Sequence, residues 1–187
     1  MHGFNRRCGL ALLCGGALTV LINGILTPLL LGNHSPPAIT PTTNVFLLRQ
    51  SASAAAALLL IFGSLGLHLV QRITSGAFGA AAFLMAFVGG CSVFAIEFAD
   101  VFVLRSVAQA SADTYATIDK SPFMNIGFAV GLFAVGWALL SIGVLRTRKH
   151  PRWAALATLA GLFLIPGLQA ASGAVGAIAG NVVFERA

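Results

Sequence analysis

Five apolar stretches, each long enough to cross a lipid bilayer as a helix, constrain this fold more than any other feature. A membrane-spanning helix needs about 20 mostly apolar residues, because the hydrocarbon core is about 30 Å thick and a helix rises about 1.5 Å per residue. The stretches of this length are residues 10–32, 45–70, 73–104, 123–145 and 153–184. Only 9% of the residues are charged, whereas soluble domains carry about 25%. The sequence therefore predicts an all-α, polytopic membrane bundle of five transmembrane helices, a single domain over residues 1–187.

The basic residues predict how this bundle is oriented. With a cytoplasmic N-terminus, seven arginines and lysines lie on the cytoplasmic side and four on the outer side. Positive charge is retained at the cytoplasmic face during insertion, so we expect N-in and C-out. Four of the bases cluster within 146–152, and orientation explains that cluster. Without a basic stripe interleaved with aromatic residues, we expect no nucleic-acid binding.

The connections predict the order in which the helices pack. Segments 71–75 and 146–152 are short, which forces neighbouring helices antiparallel into an up-down bundle. Segment 33–44 holds three prolines and is not expected to form a regular helix. The polar segment 106–121 is a candidate for a short helix.

Three ionisable residues lie near the ends of two predicted spans, on one side of the membrane. Glu97 and Asp100 are three apart and share a helix face, and Arg49 lies at comparable depth in the preceding span. Charged groups within a membrane are costly and tend to face partners or water. They form either a carboxylate site for protons or cations controlled by Arg49, or an interfacial salt bridge between two antiparallel helices. We favour the salt bridge, because both carboxylates lie near headgroup depth.

His68 is the candidate cofactor ligand, because it lies well inside a predicted span. Ligation of haem by two histidines needs a second imidazole across the bundle. His150 lies in a loop and His34 on the opposite side of the membrane. We therefore expect no cofactor. The three cysteines lack zinc-site spacing, and no catalytic motif is present, so we expect no metal site and no enzyme activity.

Glycines spaced by four predict close helix packing in the last two spans. The two pairs are Gly127 with Gly131 and Gly176 with Gly180. Such spacing clears a groove in which backbones approach, within one bundle or between two copies. Trp153 opens the fifth span beside the basic turn, where an indole ring anchors at headgroup depth.

A basic turn joins the last two spans. Residues 143–153, GVLRTRKHPRW, end one span in basic residues and open the next with Pro-Arg-Trp. This element resembles one in small uncharacterised multi-span membrane proteins of bacteria, as does Arg49-Gln50-Ser51 at the start of the second span. The resemblance implies a multi-pass protein of the bacterial plasma (inner) membrane, and it assigns no catalytic residue.

The sparse loops and the absent motifs predict a non-enzymatic function. We expect a structural or accessory subunit whose partners are lipid and other membrane subunits, or a second copy of itself. The first alternative is a small proton- or ion-coupled transporter that acts as an oligomer through Arg49, Glu97 and Asp100. The second alternative is a redox subunit that binds haem or another pigment through His68.

Overall fold

The architecture is helical throughout the part of the chain that the computed structural model describes. That part comprises residues 2–23, 40–121 and 126–147, together with residues 156 and 159. The helices are α1 (His2–Val20), α2 (Asn44–Ala99), α3 (Arg105–Ala110), α4 (Ala112–Asp119) and α5 (Ile126–Thr147). A 3-10 turn, Thr40–Thr42, precedes α2, and a π-helical turn, Asp100–Leu104, follows it. The all-α prediction is therefore confirmed for these residues.

Three helices in the described ranges are long and apolar enough to cross a membrane. They are Asn44–Gln71 with 28 residues, Gly76–Ala110 with 35 and Phe128–Arg146 with 19. They correspond to the second, third and fourth predicted spans. The apolar part of α1, Arg7–Asn23, is shorter, and the rest of the first predicted span lies outside the described residues. So does the fifth span, 153–184, apart from residues 156 and 159.

The ends of the two middle spans follow from local sequence. Helix α2 begins one residue before the predicted start, because the Thr43 side chain accepts a hydrogen bond from the Phe46 N–H at 3.1 Å. The third span runs past its predicted end at residue 104, through the π-helical turn and α3. It ends at Ser111, whose extended backbone (φ −156°, ψ 113°) breaks the helix and whose side chain caps α4. The predicted short helix in 106–121 is thus confirmed as the end of α3 followed by α4.

Helix α2 is a hairpin that turns at Gly76. This residue has φ 52° and ψ −144°, a conformation that glycine adopts readily because it lacks a Cβ. The first arm is Asn44–Gln71 and the second arm is 76–99. Contacts between the arms pair residues at similar distances from Gly76: the His68 ring stacks on Phe83, and Ile61 lies against Gly90. The predicted tight, antiparallel connection is therefore confirmed.

Helix α5 packs against the second arm with backbone on backbone. A Cβ placed on Gly136 would overlap the backbone of Ala86, and one on Gly89 would overlap the backbone of Phe133. Beside this contact, Trp137 is buried in a cluster with Ala82, Ala86 and Leu140, as its mid-span position predicts. The close approach uses glycine and alanine because larger side chains would hold the helices apart.

Helix α1 packs against the first arm through small residues in the same way. A Cβ on Gly63 would lie 2.9 Å from Leu12 Cβ, and one on Gly15 would lie 3.0 Å from Leu59 Cβ. Gly66 leaves room for Cys8 at the next turn along the interface. Large apolar side chains point outward from all three packed helices, Leu13, Leu48, Leu84 and Phe128 among them. An apolar exterior of this kind suits a lipid environment.

Candidate functional site

Five polar residues meet at the end of the α2 hairpin that lies farthest from Gly76. Gln50 and Ser53 are three apart, and Arg49 and Ser53 are four apart, so these residues share one side of the first arm. Glu97 and Asp100 face them from the second arm and the π-helical turn that follows it. These five residues are called the polar cluster below. All five residues belong to α2 and the π-helical turn that follows it, so the hairpin alone brings them together.

Gln50 connects the two arms within the polar cluster. Arg49 Nη1 donates a hydrogen bond to Gln50 Oε1, and Gln50 Nε2 donates one to Asp100 Oδ2. The Gln50 side chain is 4% exposed, so the bridge is shielded from solvent. The sequence analysis named Gln50 only within the Arg49-Gln50-Ser51 resemblance and gave it no role at the site, because it sought the ion pair among charged residues. The spacing of Gln50 and Ser53 on an otherwise apolar face was the signal that could have found it.

Glu97 lies one helical turn closer to Gly76 than Asp100, about 4.5 Å deeper along the helix. Its side chain is 6% exposed, and the Ser53 hydroxyl donates a hydrogen bond to its carboxylate. Arg49 and Asp100 are near enough to act on it electrostatically. Its Oε2 atom is buried and has no hydrogen-bond partner among the described residues. An ionised carboxylate with an open oxygen is costly in apolar surroundings, so this atom is suited to a proton or a bound cation.

A second set of contacts closes the same end of the hairpin. Arg105 Nη1 donates to the Thr43 carbonyl oxygen at 3.0 Å, and its Nη2 donates to Asn44 Oδ1 at 3.1 Å. The Arg105 N–H in turn bonds to the Asp100 carbonyl oxygen, which closes the π-helical turn. Such wide turns are frequent at functional sites. Arg105 therefore ties the end of the second arm to the start of the first, next to the polar cluster.

His68 lies near the Gly76 end of the hairpin, away from the polar cluster. Its ring stacks on Phe83, with 4.4 Å between centroids and 17° between planes. It is the one histidine whose side chain is described, so its proposed haem partnership stays a prediction. Within the described ranges, no three His, Cys, Asp or Glu residues lie together as metal ligands would.

The predicted packing glycines fall in different places. A Cβ on Gly131 would meet nothing within 4 Å in the described part of the chain. Gly127 also belongs to α5, whereas Gly176, Gly180 and Trp153 lie outside the described residues. The described contact of α5 runs instead through Gly136. A partner for the Gly131 face is not among the described residues, and its packing role stays a prediction.

In its described part, the chain is an all-helical bundle with three helices long and apolar enough to cross a membrane. At one end of a helical hairpin lies the polar cluster, of which Gln50, Ser53 and Glu97 are buried. Comparison with known proteins finds no matching family, no similar curated protein and no similar solved structure.

Proposed function

We propose that this protein is a small ion-coupled transporter that binds its coupling ion at Glu97. It lies in the bacterial plasma membrane with N-in, C-out topology, as the distribution of basic residues favours. The observation that carries the proposal is the buried Glu97 carboxylate, whose Oε2 has no partner among the described residues. Ionisable groups that face the interior of membrane bundles mark ion and substrate pathways.

The arrangement of the polar cluster favours this function over a salt bridge that only pins two helices. Gln50, held by a hydrogen bond from its neighbour Arg49, already crosses the hairpin by donating to Asp100. Packing at Gly90 and His68 holds the arms together as well. Glu97 adds one further contact between the arms, the hydrogen bond from Ser53, but its open Oε2 costs free energy, because an incompletely paired charge in apolar surroundings is destabilising. Its presence is accounted for by reversible ion binding.

The proposal includes self-association, because a single copy with so few spans has too few helices to enclose a transport pathway by itself. The α5 face that bears Gly131 supports this step. Phe128 is 77% exposed there and Val135 is 48% exposed. Their spacing of three and four residues from Gly131 places all three on one side of α5. This face has the small central residue and apolar flanks that helix pairing in bilayers uses.

The experiment is ion flux in proteoliposomes that contain the purified protein. Gradients of H⁺, Na⁺ and K⁺ are imposed in turn and followed with a dye sensitive to each ion, alone and with pooled amino acids, sugars and organic cations outside. We expect wild-type protein to dissipate one gradient faster than protein-free vesicles. Glu97→Gln should slow this at least about tenfold, which corresponds to about 1.4 kcal/mol of barrier.

Asp113→Asn is the matched control, because Asp113 is an exposed carboxylate in α4 outside the polar cluster. It should leave the flux unchanged. Equal flux in wild-type protein and a folded Glu97→Gln variant would refute the proposal. So would wild-type vesicles that dissipate none of the gradients under any condition.

An accessory subunit of a larger membrane complex is the second candidate function, and the same α5 face favours it. Gly131→Leu should then remove the partner subunit from a gentle-detergent purification while the bundle stays folded. Mass spectrometry of the purified sample distinguishes the two functions, because a stoichiometric partner of different sequence supports the subunit. A species that contains this chain alone supports the transporter.

A further inference from the structure

We propose that the ion bound at Glu97 is a proton, and that Arg49 is the residue that excludes metal cations from the site. This inference rests on the proposed transport function and names its coupling ion. It follows from the oxygen atoms that surround Glu97 and from the charge beside them.

A metal cation in a protein needs several oxygen ligands, and hard cations such as Ca²⁺ and Mg²⁺ take about six to eight. The polar cluster offers few. Gln50 Oε1 already accepts from Arg49, and Asp100 Oδ2 already accepts from Gln50. Besides these two atoms, the cluster's side-chain oxygens are the Ser53 hydroxyl, the second Asp100 oxygen and the two oxygens of Glu97, four atoms where such a cation takes about six or more. Consistent with this small set, the described part of the chain holds no group of three or more His, Cys, Asp or Glu residues placed to bind a metal ion. A proton needs one oxygen, and Glu97 Oε2 provides it.

The charge of Arg49 raises the cost of any cation at Glu97, and the few oxygen ligands there cannot offset that cost for a metal ion. A guanidinium group stays protonated at any physiological pH, so it repels a metal cation that approaches the neighbouring carboxylate. A proton meets the same repulsion, but it forms a covalent O–H bond at Oε2 and needs no further ligand, whereas a metal cation needs several more oxygens to offset the repulsion. The charged groups that act on Glu97 are Arg49 on the first arm and Asp100 beyond its own arm. Arg49 donates a hydrogen bond to Gln50, which in turn donates to Asp100, so its charge is held at the site.

Infrared spectroscopy of the protein reconstituted in lipid tests the proposal without a substrate. A protonated carboxyl group has a C=O stretching band that disappears when the group ionises. We expect one such band to rise and fall with pH in the wild type and to be absent from Glu97→Gln. Asp113→Asn should retain it. Replacing NaCl or KCl by N-methylglucamine chloride should leave the midpoint of this band where it was.

Arg49→Gln provides the second measurement. Without the guanidinium, we expect added Na⁺ to lower the intensity of the Glu97 band at constant pH, which it does not do in the wild type. Should Glu97→Gln fail to fold, Ser53→Ala replaces it, because loss of the hydroxyl donor must shift the midpoint of the band if it belongs to Glu97.

Two results overturn the inference: a wild-type band that Na⁺ or K⁺ suppresses at constant pH, or no pH-dependent band that responds to substitution at Glu97 or Ser53. Failure of the transport function looks different. A Glu97 band that titrates normally, in a protein that dissipates no gradient, keeps the proton site and refutes transport. Flux together with cation suppression of the band keeps transport and refutes the proton.

Discussion

The backbone of Gly136 in α5 lies against the backbone of Ala86 in the second arm of α2, so close that a Cβ on Gly136 would overlap it. Gly131, five residues earlier on the same helix, has no such neighbour within 4 Å in the described part of the chain. Substitutions at these two glycines therefore test different contacts of α5. Gly136 tests packing within the bundle, and Gly131 tests contacts that the other face of the helix makes with a partner.

Gly136→Leu is expected to destabilise the bundle. Overpacking costs typically about 1–3 kcal/mol, and here the obstacle is backbone that cannot change rotamer. The thermal midpoint of helix loss in detergent, followed by circular dichroism, should fall. Gly131→Leu should leave that midpoint close to the wild-type value. Equal midpoints for the two variants would contradict the packing described for α5.

Gln50→Leu should weaken the attachment of the two α2 arms. The substitution keeps a similar volume but leaves the half-buried Asp100 carboxylate and the Arg49 donor without the amide that joins them. The loss of such a buried hydrogen bond costs about 1–3 kcal/mol, read as a lower midpoint in denaturant titration. Ser51→Ala, at the adjacent exposed position, is the control and should change stability by less than about 0.5 kcal/mol. A Gln50→Leu variant as stable as Ser51→Ala would show that the bridge contributes nothing.

Gly76→Ala should destabilise the hairpin, although no atom of the described part of the chain lies within 4 Å of the added methyl group. The cost comes from the backbone, because φ 52° with ψ −144° is a conformation that residues with a Cβ rarely adopt, and such strain costs about 1–3 kcal/mol. Gly16→Ala offers a matched control in α1, with equally open surroundings but helical backbone, and it should be neutral or slightly stabilising. The same unfolding titration compares them, and a neutral Gly76→Ala would refute the tight turn.

The two ends of the bundle should react with label from opposite sides of the membrane. In a background without the three native cysteines, Asp113→Cys should react with a membrane-impermeant maleimide in intact cells, because α4 lies at the outer end under N-in, C-out topology. Arg146→Cys lies at the other end, where the native guanidinium stacks over Phe78 at 5.1 Å, and should react only after permeabilisation. The reverse pattern would invert the proposed topology.

The sequence predicts the hairpin well, and also which residues of its two arms lie close together, because both follow from the lengths of the spans and their antiparallel direction. Two antiparallel helices joined by a short turn must bring Arg49 near Glu97 and Asp100 once the residues are counted from Gly76. Helix rotation is harder to predict. Four-residue glycine spacing indicates a groove at Gly131. The described contact of α5 with α2 is instead made at Gly136 and Gly89. The small residues Ala82 and Ala86 form the matching surface on α2.

The single-residue turn at Gly76 also ties the lengths of the two arms together. A helix rotates about 100° per residue, so one residue inserted between Gly76 and Ser53 would swing Arg49, Gln50 and Ser53 around the axis of the first arm. They would then face away from Glu97 although every side chain of the polar cluster was still present. Residue count is thus as much a part of this site as residue identity. An insertion or deletion keeps the two halves of the polar cluster facing each other only if it adds or removes about a whole helical turn, and the facing arm must then change by the same length to keep the depths matched.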